Sequence, residues 1–79
     1  MKVPVIRQLV KTHSLEELQK AENDILEENT PAIEIGGEDE GEQLTHVIGA
    51  IEILQNIEAG MKEGEALRAF TQRVRNSIS

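Results

Sequence analysis

The run Glu38-Asp39-Glu40-Gly41-Glu42, followed four residues later by His46, is the one stretch where metal-ligating and proton-transferring side chains crowd together. Four residues apart, Glu42 and His46 share a helix face. A carboxylate oxygen and an imidazole nitrogen could then converge on a divalent cation, with Asp39 or Glu38 as a third ligand. Di-metal helical bundles draw Glu-x-x-His from two helices. Here the spacing is one residue longer and the sequence holds no second copy. The acids also have a simpler use, because carboxylates at a helix start suit the helix dipole with no ion present. His46 falls among Gly49, Ala50 and Ile53, where a histidine serves as a hydrogen-bonded core or contact residue. In a subunit contact, its protonation in mild acid would weaken that contact.

The other polar constellations are structural first. Ser14 follows His13, but Ser14-Leu15-Glu16-Glu17 is a capping box that uses the hydroxyl as a helix cap. Gly36-Gly37 lacks the lysine and the strand–loop–helix setting of a phosphate loop. Arg68 and Arg75, seven apart on one helix side, offer a phosphate or an acidic partner a basic stripe; packing of basic ends on an acidic middle is the preferred reading. The chain has no cysteine, which excludes disulfides, thiolate metal sites and a cysteine nucleophile. Phe70 is its only aromatic residue and the net charge is −7, so neither base stacking nor phosphate neutralisation is provided for. No nucleic acid, no cofactor and no enzymatic activity are expected.

The elements that position these residues follow from periodicity. Pro4, Ile6, Leu9 and Val10 predict a first helix over 4–12, with proline near the start where its missing N–H is harmless. His13 ends that helix, where a cation suits the dipole. The capping box opens a second helix carrying Leu15, Leu18, Ala21, Ile25 and Leu26, which reaches about Glu28 before Asn29-Thr30-Pro31 stops it. Ala32-Ile33-Glu34-Ile35 alternates as an extended connector that could pair with a symmetry mate. Asp39, three before Glu42, caps a third helix over 40–59, and Gly60 ends it. A fourth helix over 62–77 places Leu67, Phe70, Val74 and Ile78 on one stripe. The expectation is a single all-α domain over 1–79, a bundle of four helices with the third at its centre.

That third helix is apolar on two sides. Leu44, Val47, Ile48, Ile51 and Leu54 form one face; His46, Gly49, Ala50, Ile53 and Ile57 form another, nearly opposite. Thr45, Glu52 and Asn56 leave a narrow polar strip. Such a helix is central in its domain or covered by a partner, and both fit a chain of 79 residues. The reading carried forward is a homo-oligomer, most simply a two-fold dimer, with Ala50, Ile53 and Ile57 in the interface. Gly49, which weakens a helix by about 1 kcal/mol relative to Ala, points to close helix approach. Charge is segregated too: Thr12–Gly60 carries thirteen acids and one base, whereas seven bases face two acids outside it.

Val3-Pro4-Val5-Ile6-Arg7, the block Gly37 to His46 (GEDEGEQLTH) and the block Thr71 to Ile78 (TQRVRNSI) together resemble a family of short, uncharacterised bacterial proteins, a domain of unknown function. The resemblance spans nearly the whole chain and brings no catalytic residues. It implies an acidic accessory role beside a thiol-redox system, non-catalytic for want of cysteine. No apolar run approaches the roughly 18 residues of a membrane span, and Pro4 and Arg7 interrupt any leader-like start. The expectation is a soluble cytoplasmic interaction module, with a divalent-metal- or phosphate-binding protein as the alternative.

Overall fold

Two of the helices, the second and third, begin where a side chain satisfies a free N–H group. In the computed structural model, which describes residues 2–78 with side chains through Asn76, four α-helices follow in order: α1 Val3–Thr12, α2 Leu15–Leu26, α3 Glu40–Glu58 and α4 Glu63–Ile78. Pro4 sits in the first turn of α1. The Ser14 hydroxyl accepts the Glu17 N–H at 3.2 Å while the Glu17 carboxylate accepts the Ser14 N–H at 3.0 Å, a complete capping box. Asp39 Oδ1 accepts the Glu42 N–H at 2.8 Å and starts α3.

The C-termini of α2 and α3 close in the same way with different residues. After α3, Gly60 takes φ +112°, its N–H reaches the Ile57 carbonyl, and the Met61 N–H reaches Asn56. This is the Schellman arrangement, with glycine where a left-handed backbone is needed. After α2, the Glu28 N–H reaches Ile25 and the Asn29 N–H reaches Asp24 in the same pattern, yet the left-handed residue is Glu28, at φ +63°. The helix therefore stops at Leu26, two residues before the expected end. Leu26 lies about 100° round the helix from Ile25 and is 62% exposed, not part of the buried stripe.

The bundle is built around α3, which packs against α1, α2 and α4, whereas those three make only sparse contact with one another. At about 1.5 Å per residue its 19 residues run about 28 Å, close to the longer dimensions of a molecule measuring 32 × 29 × 18 Å. Both apolar faces of α3 are used: Val47 and Ile51 on one, His46, Gly49, Ala50 and Ile53 on the other, all buried. Ile6, Leu9 and Val10 of α1, Leu18, Ala21 and Ile25 of α2, and Ala66 and Phe70 of α4 complete the core. Leu67 and Val74 lean on it half-buried; the Ile78 side chain of the expected stripe lies outside the described residues.

The 32–35 connector forms no strand, although its alternation survives in burial: Ile35 is buried and Ile33 half-buried, while Ala32 and Glu34 are exposed. The two glycines that follow have separate jobs. A Cβ on Gly36 would lie 3.0 Å from Val5 Cγ1, so glycine lets the connector press onto α1. Gly37 holds φ +147°, a backbone that side chains disfavour.

Candidate functional site

The chemistry-bearing block places its residues at the junction of α1, the connector and the start of α3. His46 is fully buried. Its Nδ1 lies 2.6 Å from the Gly36 carbonyl, which can only accept, so Nδ1 carries the proton. Its Nε2 is then free to accept the Lys2 backbone N–H, at 2.9 Å. One neutral imidazole thus ties the N-cap residue of α1 and the connector to the central helix. Both ring nitrogens are engaged by backbone groups, and a metal at either would have to displace one of them.

The acids beside it are used as local caps. Asp39 Oδ1 holds the Glu42 N–H, and Glu42 Oε1 accepts the Glu38 N–H at 3.0 Å. That bond from the Glu38 N–H is the main reason the Glu42 carboxyl is held below its ordinary pKa. Among the described residues no three His, Asp or Glu side chains converge as a metal-ligand set. His13 sits at the end of α1 with Nδ1 3.5 Å from Glu17 Oε2, the outer edge of hydrogen-bonding reach. The Glu17 carboxyl is held below its ordinary value, first by the Ser14 N–H, then by the Ser14 hydroxyl and His13.

The residues expected at an interface lie inside the chain. Ala50 is fully buried and Ile53 is 1% exposed, covered by helices of the same chain, and Ile57 is half-buried against the core. Those first two positions leave no surface for a second copy. Gly49 does mark a close helix approach, but within the molecule: a Cβ there would lie 2.7 Å from Phe70 Cζ of α4 and 3.1 Å from Ile6 Cδ1 of α1. Of the basic residues, Arg73 of α4 grips the Glu52 carboxylate of α3 with two donors, the Nε bond being 3.0 Å. That hydrogen-bonded pair raises the Arg73 pKa above its ordinary value. Arg68 and Arg75 are exposed on α4.

What the sequence did not single out is the outside of the molecule. Among the described residues, Leu26, 62% exposed, and Ile48, 43% exposed, are the large apolar side chains left in solvent. A cleft of about 320 Å³ lies between α1 and α4, with Val3, Pro4 and Leu67 as apolar lining and Arg7, Gln8 and Lys11 as polar rim. A broader trough of about 470 Å³ runs between α1 and the connector, with His13 and Glu34 its titratable groups. Among the described residues no helix is long and apolar enough to cross a membrane.

Comparison with curated proteins and with solved structures finds no match. The sequence model of a family of unknown function, DUF6952, matches residues 1–79, and the chain belongs to that family.

Proposed function

We propose that this chain is a non-enzymatic interaction module that associates with itself in the cytoplasm. The observation that carries the reading is a division of labour among its side chains. Three groups that could do chemistry are used by the fold: Ser14 and Asp39 as caps, and His46 with both nitrogens holding backbone. Two large apolar side chains, Leu26 and Ile48, are left facing water instead. A small domain gains from covering such groups, because its own core buries only about 60–65% of the surface its chain exposes when unfolded. Sedimentation velocity over a wide concentration range tests this: the expected result is a mass that rises above the monomer, and a monomer throughout would refute it.

A further inference from the structure

We infer that self-association, on the reading just given, is head-to-tail: the acidic C-terminal corner of α2 in one copy docks into the basic cleft between α1 and α4 of the next. The two surfaces are opposite in charge, and each carries an apolar centre. The corner presents Leu26, 62% exposed, with Glu22 one turn before it and Glu27 and Glu28 directly after. The cleft offers about 320 Å³ lined by Val3, Pro4 and Leu67, room for one leucine side chain, with Arg7 and Lys11 on its rim.

Neither surface is satisfied within the chain. Among the described residues no ion pair engages Glu22, Glu27, Glu28 or Lys11. Arg7 has only Glu63, at 3.8 Å and largely exposed, a contact of little strength. Of the acidic middle, Glu52 is held by a basic end through Arg73; α2 keeps its acids on the surface. The corner is also where the backbone is held in an uncommon state, with a glutamate in the left-handed position that glycine fills after α3. Backbone strain concentrates where surrounding structure or function holds it.

A second copy is a better occupant than a phosphate or nucleic acid. Phosphate has no use for the apolar lining, and a nucleic-acid backbone brings no apolar side chain to fill it, whereas the corner of α2 brings Leu26 together with its acids. A contact between two different surfaces is heterologous, so it extends to a ring or a filament and does not stop at a two-fold dimer.

Paired charge reversal tests the arrangement. Protein A carries Arg7→Glu and Lys11→Glu; protein B carries Glu27→Lys and Glu28→Lys. Each alone sets like charges against each other, so in low salt each is expected to lose association by about tenfold or more. Mixed, every A–B contact is complementary again, and co-sedimentation is expected to return. Leu26→Ser, which leaves charge untouched, is expected to weaken the wild-type assembly by about tenfold or more. Wild-type-like assembly in A, in B or in Leu26→Ser, or no recovery in the mixture, would overturn this pairing while leaving self-association intact. A wild-type chain that stays monomeric would overturn both.

Discussion

The ring of Phe70 occupies the space that a side chain on Gly49 would need: a Cβ there would fall 2.7 Å from its Cζ. The lone aromatic residue of the chain thereby locks α4 onto α3. Gly49→Ala improves helix propensity by about 1 kcal/mol, but overpacking a buried contact costs about 1–3 kcal/mol. The clash wins, because Ile6 Cδ1 closes the other side at 3.1 Å. Urea unfolding is expected to show Gly49→Ala less stable than wild type, and Gly49→Ala/Phe70→Leu to recover part of the loss. A stabilised single variant would contradict the packing.

Removing His46 breaks two bonds and leaves a hole. His46→Ala is expected to lose about 2–4 kcal/mol, from two hydrogen bonds of about 1 kcal/mol each and the cavity left behind. Against a total near 4–12 kcal/mol, that brings the fold to the edge. His46→Gln, which keeps a donor and an acceptor, should lose less. Nitrogen-15 spectra of the wild type should show the tautomer protonated at Nδ1, since Gly36 offers that nitrogen only a carbonyl.

Glu28 is the residue whose backbone works against its side chain, at φ +63°. Glu28→Gly is expected to stabilise the chain by about 1 kcal/mol. For a domain of this size that raises Tm by about 4–8 °C. The same substitution removes a charge from the corner of α2, so greater stability and weaker association are expected together.

Two depressed carboxyls contribute to the acid limb of stability. Glu17 and Glu42 both titrate below the ordinary 4.5 when folded. Their contribution is therefore complete above the unfolded value and is lost as pH falls below about 4.5 through the lower folded values. Glu17→Gln/Glu42→Gln should flatten the fall of the urea midpoint between neutral and strongly acid solution. An unchanged pH profile would show that these caps do not carry it.

Much of this architecture can be read from residue types. Ser14 with Glu17, Asp39 with Glu42, Pro4 and Gly60 are local signals acting within one turn, and they set the helix starts and the end of α3. The central place of α3 follows from its two apolar faces, although those faces alone did not distinguish sister helices from a partner. The His46 contacts were not legible, because Lys2 and Gly36 engage it through backbone groups that every residue type supplies. The early end of α2 was hidden for a related reason: the left-handed turn sits on a glutamate, and only a glycine would have announced it. The cleft between α1 and α4 depends on how two distant helices pass, which periodicity within either one does not encode.

Because α1, α2 and α4 each lean on α3 and scarcely on one another, the molecule resembles three spokes on one axle. Each outer helix therefore depends for its burial on the axle more than on its fellows, and nothing survives loss of the axle. Amide hydrogens of α3 should exchange with solvent only when the whole chain unfolds, while each outer helix opens on its own schedule.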